Sequence, residues 1–186
     1  RWGSSRQEQA IHDGRFEPAP HREPSAQPPQ LRVDLPQGRM QTLEELKQAG
    51  KIRAYGVALG PAIGWEEEGL VSMERWKVHS CQTVYNLLEQ DPGRSLLTTA
   101  EKTQTGVMSR VPHSSGVLQG LKPNFNPNDH RSHRKLQWFL EGEKKVEQLQ
   151  WLLQDGKRTL SQLALEYIIS KPHMTSVLPT ITSEKE

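Results

Sequence analysis

The sequence predicts an α/β chain organised on a parallel sheet, and three observations carry that reading. Four short apolar runs rich in β-formers, at Ile52–Leu59, Ser80–Leu87, Val107–Arg110 and Thr175–Leu178, are separated by segments of helical period. Strands that alternate with helices pair in parallel, because each crossover returns the chain to the same end of the sheet. The third observation is the stretch Gly106 to Gly120, GVMSRVPHSSGVLQG, which joins a strand to a loop of small and hydroxyl-bearing residues. Pro112 removes an N–H donor and ends regular pairing, so Ser114, Ser115 and Gly116 fall just past the carboxyl end of that strand. In parallel α/β sheets, open or closed, that end is where ligands bind.

The chain divides near residue 38. Residues 1–38 carry Pro18, Pro20, Pro24, Pro28, Pro29 and Pro36 among Arg, Gln, Glu and Ser, with apolar residues too scattered to form a core. This arm is expected to be disordered. Residues 39–186 form the folded unit. A first helix follows from Met40, with Leu43 and Leu46 at helical spacing and Gly50 placed to end it. The first strand, Ile52–Leu59, is bounded by Gly50 and by Gly60-Pro61. A second helix over 64–76 sets Glu66, Glu67 and Glu68 in its first turn, where carboxylates suit the positive end of the helix dipole. The second strand, Ser80–Leu87, is followed by a helix over Glu89–Thr103 and by the third strand, Val107–Arg110.

A long polar connection, Lys122 to Arg134, then crowds Asn, Pro and Asp into turn positions and reads as a covering segment. Two helices, Leu136–Leu140 and 143–154, come next. Thr159 with Gln162 three residues on matches a capping box opening a helix over Leu160–Ser170, which Pro172 stops. Thr175–Leu178 is the last strand. This alternation leaves open whether the sheet closes into a barrel.

Composition bounds the function. Of 186 residues, 33% are hydrophobic against roughly 45% in average globular chains, and the arm accounts for much of the deficit. The 24 basic and 22 acidic residues are well mixed, so a net charge of +2 argues for neither a nucleic-acid nor a membrane partner. No apolar run reaches the length of a membrane helix. Cys81 is the one cysteine and sits in an apolar run, which reads as a buried thiol in a reducing compartment, the cytoplasm. The chain does not begin with Met and reads as a fragment or a processed product.

The residues are more specific than the period. LEELKQAGKIRAYGVAL, QTVYNLLEQ, GVMSRVPHSSGVLQG, TLSQLALEYIISKP and TSVLP, in that order, resemble the C-terminal half of an aldo-keto reductase over Leu43 to Thr182. The resemblance implies a partial (β/α)8 TIM barrel, with these four strands as about its fifth to eighth. It further implies binding of NADP(H) and hydride transfer to or from a small carbonyl or alcohol substrate. Carried over by residue, Gln82 matches the glutamine that hydrogen-bonds the nicotinamide carboxamide, for which an amide has both donor and acceptor. Arg110 stands where many members place a Tyr to stack on the nicotinamide, and a guanidinium plane can stack as well. Pro112, Ser114, Ser115, Gly116 and Leu118 match the loop along the pyrophosphate, whose N–H groups and hydroxyls can replace phosphate hydration. Thr180, Thr182 and Ser183 match the start of the adenosine 2'-phosphate site.

Two departures stand against this. Ala58 replaces a Ser that contacts the carboxamide in the family. The family's catalytic Asp, Tyr, Lys and His belong to its first four strands, and nothing in Arg1 to Met40 matches them, with no Lys or Tyr before Lys47. No residue is therefore assigned a catalytic role. The main reading is the cofactor-binding half of an aldo-keto reductase, and the alternative is a non-catalytic half-barrel that serves as an interaction module. Unpaired strand edges would favour self-association. The cluster Asp129, His130, Arg131, His133 and Arg134 lacks the spacing of a metal site and reads as a solvated loop.

Overall fold

The computed structural model describes residues 37–60, 65–122, 131, 134–153 and 156–181. The expected disorder of 1–38 falls outside these residues except at its end, where helix α1 (Gln37–Gln48) begins before the predicted Met40. Gly50 closes α1 as expected, with φ +69 and its N–H donating to Lys47 O at 2.9 Å. The first strand, β1 (Gly56–Ala58), is much shorter than the predicted 52–59. The N–H groups of Lys51 and Ile52 both turn back to Leu46 O, so this segment finishes the helix instead of starting the strand.

Helix α2 (Glu66–Glu74) carries the three glutamates in its first turn. Strand β2 (Ser80–Val84) stops short of the predicted Leu87 because Asn86 bends the chain. Its Oδ1 accepts the N–H groups of Leu88 and Glu89, each at 2.9 Å, which holds a turn where a helix was expected. Helix α3 (Gly93–Thr103) then starts only after Pro92, whose preceding residue is biased away from helical backbone. Strand β3 (Gly106–Arg110) and the single-turn helix Val117–Gln119 follow. One helix, α4 (Leu136–Gln148), and a 3-10 turn, Gln150–Leu153, replace the two helices predicted around Gly142. Gly142 is no break: it is buried, and a Cβ there would come within 3.1 Å of Val117 Cγ1. Helix α5 (Leu160–Ile169) and strand β4 (Met174–Leu178) complete the order.

The sheet is parallel throughout, in the order β1-β2-β3-β4. Cys81 and Val107 lie side by side on the face the helices cover, in one core cluster with Met73, Leu96, Ala100, Ile168 and Met174. A second cluster, Leu87, Leu118, Leu149, Leu152 and Ala164, sits beneath the loop after β3. Because side chains alternate along a strand, the opposite face carries Ala58, Gln82, Met108 and Ser176 in one register row. In this α/β architecture the helix side is the buried one, and the other face carries small and polar side chains among a few apolar ones.

Candidate functional site

Two of the sequence-predicted residues lie on the sheet face away from the helices. Gln82, in the middle of β2, is half-buried, and its side-chain amide has no hydrogen-bond partner among the described residues. Arg110 ends β3 one strand away, opposite Val84. Its Nη2 donates to Leu59 O at 2.6 Å, while its Nε is buried without a partner among the described residues. A buried donor left unpaired costs free energy unless a ligand or water completes it. Ala58, paired with Gln82, offers no hydroxyl to this group.

Pro112 is buried, as are Ser114, Gly116 and Leu118, and the loop they belong to is strained. Val111, Ser114 and Ser115 have φ of 56, 50 and 54, and Gly116 has φ 91. A left-handed backbone is rare for a β-branched residue and persists only where the surroundings impose it. Here Val111 O accepts both Ser114 N–H and Asn86 Nδ2–H at 3.0 Å. Gly116 is needed for space as well as angle, since a Cβ would fall 2.4 Å from Leu121 Cδ1.

The loop presents fewer free donors than the sequence reading assigns it. The N–H groups of Ser114, Gly116, Val117 and Leu118 all bond to carbonyls of the loop itself. The Ser114 hydroxyl donates to Glu89 Oε2 at 3.1 Å, and Leu118 belongs by its side chain to the second core cluster. Ser115 alone is half-exposed with neither its N–H nor its hydroxyl bonded to the described protein. His113 Nε2 and Ser161 Oγ, 2.9 Å apart, tie this loop to the first turn of α5. Thr180 is exposed beyond β4, and Thr182 and Ser183 lie outside the described residues.

Two residues around the loop, Asn86 and Glu89 after β2, were not singled out in the sequence, and Arg134, ahead of α4, was read there only as part of a solvated loop. Their contacts converge on Glu89: Asn86 Nδ2 donates to Glu89 Oε2 at 3.0 Å and Arg134 Nη1 lies 2.7 Å from Glu89 Oε1. Asn with Glu three residues on is a legible turn pattern, whereas Arg134 was absorbed into the polar connection. Among the described residues no group of three potential metal ligands occurs. A cleft of about 500 Å³ lined by Glu44, Lys47, Tyr55, Trp76 and His79 opens at the amino ends of β1 and β2, away from these groups. Parallel α/β folds bind ligands at the other end, which makes Gln82, Arg110 and the 111–118 loop the candidate site.

A four-stranded parallel sheet with a constrained polar loop at its carboxyl end defines an α/β protein whose fold is consistent with part of a barrel. The sequence profile of the Aldo/keto reductase family matches residues 24–186, and the chain belongs to that family. The match reaches back into the proline-rich segment. Comparison with curated proteins returns no match. Among solved structures, the glycerol dehydrogenase AKR11B4 from Gluconobacter oxydans is similar at 21% identity and a TM-score of 0.59, over 81% of this chain and 46% of that one. The aldo-keto reductase AKR11C1 from Bacillus halodurans is similar at 22% identity and a TM-score of 0.51, over 77% of this chain and 45% of the other. The thermostable aldo-keto reductase Tm1743, solved with the inhibitor epalrestat, gives 20% identity and a TM-score of 0.52, over 78% and 44%. The chain thus spans less than half the length of these relatives, and the likeness supports a partial (β/α)8 barrel.

Proposed function

We propose that this chain is the cofactor-binding part of an aldo-keto reductase that binds NADP(H) and serves oxidation or reduction of a small carbonyl or alcohol. The observation that carries the reading is the placement of Gln82 and Arg110 on one sheet face, with an unbonded amide in the middle of β2 and an orphaned Nε at the carboxyl end of β3. Both fit a nicotinamide: the amide can donate to and accept from a carboxamide, and the guanidinium plane can lie against the ring. Bound there, the cofactor would supply or accept the hydride. Ser115 fits the phosphate end with one N–H and one hydroxyl, and Pro112, Ser114, Gly116 and Leu118 hold the loop around it. Thr180, with Thr182 and Ser183, is proposed for the 2'-phosphate. The glycerol dehydrogenase among the relatives supports an alcohol or carbonyl of small size.

The 186 residues contain no match to the family's proton donor, and a positioned general acid typically contributes about 100-fold to 10,000-fold. Binding without turnover is therefore expected of this chain alone. That same feature favours the second reading, a half-barrel acting as an interaction module. The buried Cys81 favours a cytoplasmic setting, and the sheet edges left unpaired among the described residues favour self-association. The test is calorimetric titration with NADPH beside an absorbance assay on aldehydes and ketones. Heat of binding with no turnover supports the cofactor-binding reading, whereas a folded chain that takes up no NADPH supports the interaction module.

A further inference from the structure

We propose that Glu89 is a positioning residue for the phosphate end of the site, setting the loop conformation in which Ser115 faces outward. This rests on the cofactor reading above. A carboxylate beside a phosphate-binding loop is at first sight unfavourable, since it would repel the ligand. Here its charge is matched inside the protein. Oε1 pairs with Arg134 at 2.7 Å, and Oε2 accepts from Asn86 at 3.0 Å and from Ser114 at 3.1 Å. Asn86 and Ser114 are fully buried, so these bonds form in a medium where an unpaired polar group is costly.

The geometry gives each partner a separate task. Asn86 joins the turn after β2 to Val111 O, the residue that begins the left-handed run. Ser114, in the middle of that run, directs its proton to Glu89 and away from its half-exposed neighbour Ser115. Arg134 is itself held, with its guanidinium carbon 4.0 Å from the centre of the Trp138 ring at the start of α4. Glu89 thereby links β2, the strained loop and α4 without lying among the groups assigned to the ligand. Removing it would release Ser114 and the loop. Removing Arg134 alone would leave a part-buried negative charge next to the phosphate position.

The experiment compares Glu89→Ala, Glu89→Gln, Arg134→Met and the E89Q/R134M pair by amide exchange and by calorimetry. In E89A the amides of Ser114, Gly116, Val117 and Leu118 should exchange about tenfold faster, while those of β2 and β3 keep their protection. NADPH affinity should fall about tenfold, the size of one lost charge-assisted hydrogen bond. Affinity for reduced nicotinamide riboside, which has no phosphate, should not change. R134M should weaken NADPH more than E89Q does, and adding E89Q to R134M should restore part of the loss because it removes the uncompensated charge. Unchanged loop exchange in E89A, equal weakening of both ligands, or a double variant no better than R134M would each overturn the proposal. If the wild-type chain binds no NADPH, the cofactor reading falls, and the exchange measurement still decides whether Glu89 holds the loop.

Discussion

Cys81 shows how one side chain reports on the packing of the whole helix-covered face. It has no solvent exposure in the middle of β2, and burial, with Glu68 adding a smaller like-charge effect, pushes its thiol up to about 12. In the unfolded chain the thiol ionises near its ordinary 9.0. The folded state thus holds the proton more tightly, and the stability this brings is present below pH about 9 and is lost as pH rises toward about 12. The loss approaches about 1.4 kcal/mol per pH unit across that window. Denaturant unfolding at stepped pH should show a slope in the native chain that is steeper than in Cys81→Ala; the phenols of Tyr85 and Tyr167, which burial also pushes up, contribute equally in both. The thiol should also resist alkylation until the chain unfolds, since the nucleophile is the thiolate. Rapid labelling at neutral pH under native conditions would place Cys81 outside the core.

At the scale of elements, α5 is the helix whose start was most legible in the sequence. Thr159 accepts the N–H of Gln162 at 3.2 Å, and the Gln162 side chain accepts the Thr159 N–H at 2.9 Å, so both halves of the capping box are made. Thr159→Ala should cost about 1 kcal/mol, read as a lowered denaturation midpoint with unchanged slope. A loss near zero would mean that packing of Ala164 and Ile168 alone fixes this end. The parallel order of the strands was equally legible, because helix and strand periods alternate cleanly from Met40 onward. What the period could not show was where elements stop when a side chain competes for the backbone. Asn86 ends β2 early by bonding two N–H groups, and Leu46 O shortens β1 by recapturing Lys51 and Ile52. The site divides in the same way. Gln82 and Arg110 stand out as polar residues within strands, whereas Glu89 and Arg134 acquire meaning only through contacts that span 45 residues of sequence.

For the molecule as a whole, the feature with the largest consequence is a sheet that is open among the described residues. Strands β1 and β4 each pair with one neighbour among the described residues, which leaves backbone donors and acceptors along both edges. The face away from the helices mixes Gly56, Ala58, Ser80, Gln82, Arg110 and Ser176 with the apolar Val84, Met108 and Leu178. Edge pairing should drive association alongside apolar burial. Gly56 and Ala58 on β1 are exposed and small, so nothing on that strand blocks a second strand from approaching. Sedimentation at a series of concentrations should show a weight-average mass that climbs with concentration. Ala58→Lys should shift it back toward the 21.2 kDa monomer, because a lysine on an edge strand disfavours pairing with another chain. The substitution lies on an exposed position and should leave the unfolding free energy of the monomer within about 0.5 kcal/mol of the native value. A compact monomer at every concentration, unaffected by A58K, would show that the edges are covered within the chain itself.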